Sequence, residues 1–322
     1  MKAEMIYTVS LITGCFNGEK FIDRCFSSII SQTYDSLEVI FVDDGSTDHS
    51  LQLAESYTRK FAERGFDFRI VAQKNMGFYP QSGIKIAKGK YITTLDIDDI
   101  LLPESIQKRA DFLEANPDHS AVRTSGYIVH EDGSTPPVIF TKPDESSGFD
   151  VFEDLIFART NNWPGTYMVR AEVLFEYYPN KILPMTRLTQ NLQILLPVTY
   201  GRKVGFINEP LMQYMRHDNQ TTSDKNNYHT NKRQFQTFKA VRRRILRQMN
   251  LLTVEIEDKL DKRYNSVFLG IAFKFKNNKE FNHYYKTIEN PTLTEKMMEA
   301  SINNKEVRYF LLKSIFFLKS KF

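Results

Sequence analysis

Cysteine is nearly absent. Only Cys15 and Cys25 occur in 322 residues. They give no disulfide framework and no spacing for a sulfur-ligated metal, which points to a reducing compartment. No apolar window approaches the run of about 20 residues that a spanning helix needs. The N-terminus carries no apolar signal region, so the expected location is the cytosol. Tryptophan occurs once, and internal repeats and low-complexity tracts are missing. A formal charge of +4 does not by itself call for nucleic acid. What remains is globular in composition, 41% hydrophobic and 25% charged, and long enough for one large α/β domain with an appendage.

The most informative stretch is Tyr91-Ile92-Thr93-Thr94-Leu95-Asp96-Ile97-Asp98-Asp99. A β-branched apolar run predicts a buried strand, and it ends in a burst of acids. Acids at the mouth of a buried strand are costly unless solvated, paired or bound to a cation. Ligands of open α/β sheets sit beyond the carboxyl ends of the strands. The expectation is a divalent cation with a phosphate-bearing ligand. The blander alternative is that the acids cap the helix opened by Pro103.

Earlier strands are expected at 9–13, 38–42 and 68–72, with helical faces at 21–30, 51–61 and 80–88 between them. That alternation means right-handed βαβ units and a mostly parallel sheet. The second strand ends in Asp43-Asp44-Gly45-Ser46-Thr47-Asp48. Asp43, Asp44, Asp96 and Asp98 should therefore share one edge of the sheet. Further strands are expected at 121–125, 127–130, 166–170 and 204–207, and a helix at 188–200. Residues 132–148 and 216–223 look like loops. From 225 onward the chain looks helical. The expected division is 1–224 for an α/β domain and 225–322 for a helical region.

Four motifs, in this order, resemble the family 2 glycosyltransferases, whose fold is the GT-A type. They are Val9 to Ile12 running through Phe16-Asn17-Gly18-Glu19; Val42 to Asp48; Gly83 to Ile92 running into Asp96-Ile97-Asp98-Asp99; and Gly205 to Leu211 with Tyr214 and His217. The match spans residues 5 to about 224. It implies a GT-A (Rossmann-like) sheet and an inverting, metal-dependent transfer. A sugar would move from a UDP-sugar to a hydroxyl of a glycan or lipid-linked acceptor, in bacterial surface polysaccharide synthesis. By this resemblance Gly14, Phe16, Asn17, Asp43, Asp44, Asn75, Asp96 and Ile97 bind the nucleotide sugar. Asp44 takes the uracil imide N–H, and Phe16 is available for stacking. Asp98 holds Mn²⁺ or Mg²⁺, and His217 is a further ligand or a diphosphate contact. A merely solvated His217 is the alternative. Cys15 is expected to pack.

The resemblance breaks at Leu188-Thr189-Gln190-Asn191. Family members commonly place there an acidic pair whose Asp deprotonates the acceptor. An amide has no useful basicity. Either a carboxylate such as Asp218, Asp224 or Glu172 takes over, or Gln190 and Asn191 only orient the acceptor, or the domain binds nucleotide sugar without transferring well. The last is a scaffold reading. A nucleotidyltransferase would need a Gly-rich, Arg-containing loop, which Thr13 to Asn17 does not supply. Trp163 is either an acceptor-stacking indole or core filler. The family's basic residue after Asn75-Met76-Gly77 is missing, so diphosphate contacts should differ. Lys232, Arg233, Lys239, Arg242, Arg243, Arg244 and Arg247 crowd one helix. Together with the apolar-basic segment 309–319 they suit peripheral contact with an anionic membrane on its inner face. The alternative is a solvated basic face on an appendage that packs on the catalytic domain or on another subunit.

Overall fold

The computed structural model describes residues 8–140, 151–160, 163–184, 191–217 and 227–304, with 306, 308, 309, 311 and 312. The chain falls into two compact units, Met1–Asp218 and Asn219–Phe322.

The first unit opens with β1 (Val9–Cys15), α1 (Glu19–Ile30), β2 (Leu37–Asp43), α2 (Ser50–Ser56), α3 (Thr58–Glu63), β3 (Asp67–Ala72), α4 (Tyr79–Ile86) and β4 (Tyr91–Asp96). β1 and β2 are buried along their whole length. Strands covered on both faces read as continuous apolar runs, which is how the sequence writes them. α1 turns Phe21, Ile22, Cys25, Phe26 and Ile29 inward. The single helix expected over 51–61 is two. The Tyr57 N–H bonds back only three residues, to the Ala54 carbonyl, which tightens the turn and bends the chain. Ala54, Tyr57 and Phe61 still face the core.

The unit continues with β5 (Ile100–Leu101), α5 (Ser105–Ala115), β6 (His119–His130), β7 (Val138–Phe140), α6 (Phe152–Ile156), β8 (Tyr167–Arg170), α7 (Ala171–Tyr177), α8 (Leu192–Thr199) and β9 (Lys203–Arg216). The sheet order is β3-β2-β1-β4-β8-β6-β9-β5, with β7 on β6. Long parallel ladders join β3, β2, β1 and β4, and another joins β6 to β9. The antiparallel ladders are short. Two strands expected over 121–130 are one strand, which passes straight through Gly126. A Cβ there would lie 2.7 Å from the Phe140 ring and 2.9 Å from Met212, so glycine lets both pack against the strand. β9 is far longer than expected. It absorbs Asn208 and Glu209 in a bulge, since Thr124 pairs with Ile207 and Ser125 with Pro210. A bulge is where a strand tolerates proline.

The second unit holds α9 (Tyr228–Gln248), α10 (Val254–Lys274), α11 (Asn278–Tyr285) and α12 (Leu293–Ser301). Each begins at a side-chain cap: Asn227, Thr253, Asn277 and Thr292. The basic helix is less bare than its sequence suggests. Lys232 pairs with Glu280, Lys239 and Arg243 pair with Asp261, and the buried Arg242 donates to the Tyr264 hydroxyl. No helix among the described residues is long and apolar enough to cross a membrane. Most of the apolar-basic segment 309–319 lies outside the described residues.

Candidate active site

Parallel register gathers the acids. Cys15 of β1 pairs with Asp43 of β2, and Gly14 pairs with Asp96 of β4. Two acid pairs distant in sequence thus flank the end of one strand. Gly14 is required there. A Cβ would sit 2.0 Å from Cγ of Tyr79, whose ring lies against the β1 backbone.

On the β1–β2 side, Phe16 is 51% exposed at the turn. Asn17 takes a left-handed backbone at φ 52°. Its Oδ1 accepts from the Thr47 N–H at 2.7 Å, and its own N–H donates to Ser46 Oγ at 3.0 Å. The two turns are therefore laced together. Asp43 accepts the Ser46 N–H. Asp44 has a different duty from the one expected. Its carboxylate accepts from Gln73 Nε2 at 2.7 Å, the Met76 N–H at 2.8 Å and the Gly77 N–H at 2.7 Å. It anchors the segment that presents the exposed Asn75, and little of it is left for a base.

On the β4 side, Asp96 Oδ1 accepts from the Tyr79 hydroxyl at 3.0 Å. Burial, then the Asp98 charge, pushes the Asp96 carboxyl up to about 7. Asp98 Oδ2 lies 3.0 Å from His217 Nε2. The His217 ring leans on Phe21 at 4.8 Å, and its Nδ1 is buried with no partner among the described residues. His217 is thus held at the acids, not solvated. Arg24 Nη2 donates to the Asp98 carbonyl at 2.9 Å. Asp99 does not cap α5. Its Oδ1 accepts the Met215 N–H of β9 at 2.9 Å, while Oδ2 is buried and unpartnered among the described residues. Burial, then Asp98 and Asp96, holds its carboxyl far above the usual range. The Ile97 side chain, expected at the nucleotide, is buried in the core beneath Gly18.

Ligand atoms of Asp96, Asp98 and Asp99 lie within 4.8 Å of one another. Burial and mutual repulsion disfavour the charged form of two of the three clustered carboxyls, and one buried oxygen has no partner among the described residues, so the cluster lacks a compensating charge. With an imidazole alongside, that donor set fits a hard divalent cation.

On the far side of β4, Asn191 Oδ1 accepts from the Tyr167 hydroxyl at 2.7 Å. Trp163 is half-buried, stacked on Tyr214 at 4.4 Å and edge-on to Phe140 at 4.6 Å. Glu172 is removed from the site. β8 runs antiparallel to β4, with Arg170 opposite Tyr91, so α7 starts at the opposite edge of the sheet. Gln190, Asp218 and Asp224 lie outside the described residues. Tyr79, Thr94 and Tyr167 are site neighbours that sequence reasoning missed. Each sits in an ordinary apolar or β-branched context, and only the folded register brings them together.

A sheet with this topology and acids at this edge has the GT-A glycosyltransferase fold, and solved structures agree. TarS of S. aureus in complex with UDP-GlcNAc superposes with a TM-score of 0.60 at 18% identity, covering 92% of this chain and 79% of that one. The mannosyltransferase PcManGT from Pyrobaculum calidifontis, in complex with GDP-Man and Mn²⁺, gives 0.57 at 13% identity, covering 94% and 83%. At such identities the likeness concerns the fold alone. Sequence decides the family: residues 10–171 match glycosyl transferase family 2, and the chain belongs to that family. An uncharacterized glycosyltransferase of Haemophilus influenzae is 40% identical over 114 residues, 34% of each chain. A poly(ribitol-phosphate) beta-glucosyltransferase of Bacillus spizizenii is 28% identical over 185 residues, 57% of this chain and 26% of the relative. The chain spans about a third of the length of the curated relatives it matches first.

Proposed function

We propose that the chain is an inverting, metal-dependent glycosyltransferase. It takes a UDP-sugar and transfers the sugar to a hydroxyl of a glycan or lipid-linked acceptor, in the synthesis of a bacterial surface polysaccharide. One observation carries the reading: Asp96, Asp98, Asp99 and His217 converge at the end of β4, beside the Gly14–Phe16 turn. The ligands of the structural neighbours, UDP-GlcNAc in one and GDP-Man with Mn²⁺ in the other, fit a nucleotide-sugar donor. The glucosyltransferase relative fits a polymer acceptor.

The base stacks on Phe16, and its imide N–H goes to Asp43, the less engaged acid of the pair. Asp96 meets the ribose with the oxygen that Tyr79 leaves open. Asp98 and His217 would hold Mn²⁺ or Mg²⁺, which would supply positive charge for the departing diphosphate. The acceptor oxygen attacks the anomeric carbon as its bond to the diphosphate breaks, and the hydroxyl proton leaves with bulk solvent or a nearby base. Trp163 borders the acceptor side. The protein works in the cytoplasm, at the inner face of the membrane where a lipid-linked acceptor is presented. Incubation with Mn²⁺ and a panel of UDP-sugars, with and without glycan acceptors, tests the reading. UDP release that needs the metal supports it; tight binding with no release under any condition overturns it. That second outcome is the scaffold reading, which the amide at Asn191 favours.

A further inference from the structure

Asn191 stands directly before α8 with its side chain half-buried. The Tyr167 hydroxyl lies 2.7 Å from its Oδ1 and 2.6 Å from Thr94 Oγ1. Tyr167 and Thr94 are both fully buried, and each has a single O–H proton. If Tyr167 donates to Asn191 and Thr94 donates to Tyr167, both protons are used. Turning the amide over makes Nδ2 the donor to Tyr167. Tyr167 then donates to Thr94, and the Thr94 proton has no acceptor among the described residues. A buried donor left unmet is costly. Oδ1 therefore faces inward and Nδ2 outward, where it has no partner among the described residues.

The place of that outward amide matters. Thr94 and Asp96 are two residues apart in β4, so their side chains share a face. Asn191 thus sits one step behind Asp96 on the same face. The sheet runs β2, β1, β4, β8, with strands about 4.8 Å apart. A nucleotide sugar with its base at Asp43 and its diphosphate at Asp98 lies along this edge. Its sugar falls next in line, over β8 and the start of α8.

We infer that Asn191 is a specificity residue for the donor sugar: Nδ2 donates a hydrogen bond to a sugar hydroxyl oxygen, in an orientation set by Tyr167 and Thr94. This rests on the nucleotide-sugar reading above. It gives the amide a purpose other than proton abstraction: an N–H for a hydroxyl oxygen, where a carboxylate could only accept the hydroxyl's own proton. The substrate class is a neutral hexose or N-acetylhexosamine donor. Tyr167 is a positioning residue acting through Asn191.

Calorimetry in Mn²⁺ tests it, with UDP-glucose, UDP-galactose, UDP-GlcNAc and GDP-mannose compared with plain UDP and GDP. Asn191→Ala removes the donor and, unlike Asn191→Asp, leaves no carboxylate that could accept the sugar hydroxyl's own proton. It should weaken the best nucleotide sugar about tenfold or more, the loss of one such hydrogen bond, while the matching diphosphate stays within about twofold. Tyr167→Phe should show part of the same selective loss. A merely packing Tyr167 would lower the melting temperature and leave the ratio alone. An unchanged ratio of nucleotide sugar to diphosphate in Asn191→Ala overturns this inference and spares the donor reading. A wild type that binds none of these nucleotides overturns both.

Discussion

Glu38 offers the sharpest structural test. It lies in the middle of the parallel sheet at 0% exposure. Its carboxylate accepts from Ser10 Oγ, from Arg69 Nη2, from the Lys88 N–H at 2.5 Å and from the Gly89 N–H at 3.0 Å. Lys88 and Gly89 form the turn that feeds β4, so one side chain ties β1, β2 and β3 to the strand that bears the acids. Glu38→Ala would strand those donors. Arg69 keeps Asp67 and the Ile86 carbonyl, and Gly89 keeps Ser10 Oγ at 2.8 Å. The loss is therefore the acceptor shared by the Ser10 hydroxyl and the two turn N–H groups, and one of the two carboxylates that Arg69 pairs with. Removing an acceptor that serves buried donors costs about 1–3 kcal/mol, a sizeable part of the roughly 5–15 kcal/mol that holds a domain folded. Glu38→Gln should cost less, since its oxygen still accepts while its NH₂ faces Arg69. Urea unfolding, with fluorescence of Trp163 as the probe, measures both. A loss below about 1 kcal/mol for Glu38→Ala would refute the claim that this network sets the position of β4.

Two further expectations concern the site. Phe16 is exposed, so Phe16→Ala should leave stability within about 0.5 kcal/mol yet weaken UDP binding by about 1–3 kcal/mol if the ring stacks on the base; calorimetry and a melting curve separate the two effects. Burial and the neighbouring acids raise Asp96, to about 7, and Asp99. Without metal, the native state keeps protons that the unfolded chain releases above about pH 4, so metal-free stability should fall as pH rises from about 4 through 7. Mn²⁺ should recover more melting temperature at pH 8 than at pH 5. Equal shifts at both values would show that no ion binds beside these acids.

The parallel half of the sheet was legible because its strands are continuous apolar runs that end in acids, and each helix between them has a clean buried face. The second half was less so. β7 is short, with Val138 and Ile139 exposed, and no pattern marks it within a proline-rich stretch. α7 follows β8 without a break, so no turn residue announced it. β9 passes a proline inside a bulge. At the site, residue types showed which acids gather, but not how each is used. Asp44 looked like a base contact, yet register places the backbone of 76 and 77 in reach of its carboxylate. Asp99 looked like a cap, yet β9 runs past it and takes its oxygen. Hydroxyls such as Tyr79 and Tyr167 act only through three-dimensional neighbours, which spacing in one chain does not encode. The pairing of the positive helix was hidden for a similar reason, because acids of α10 and α11 answer several of its charges.

The central claim is that the acids at the end of β4 hold a divalent cation and, through it, a nucleoside diphosphate. UDP binding to wild type and to Asp98→Asn, measured by calorimetry with Mn²⁺ and with EDTA, tests it most directly. Wild type should bind tightly only with Mn²⁺, and Asp98→Asn should bind weakly and equally in both conditions. Wild-type binding that ignores the metal, or an Asp98→Asn protein that still responds to it, would contradict the account.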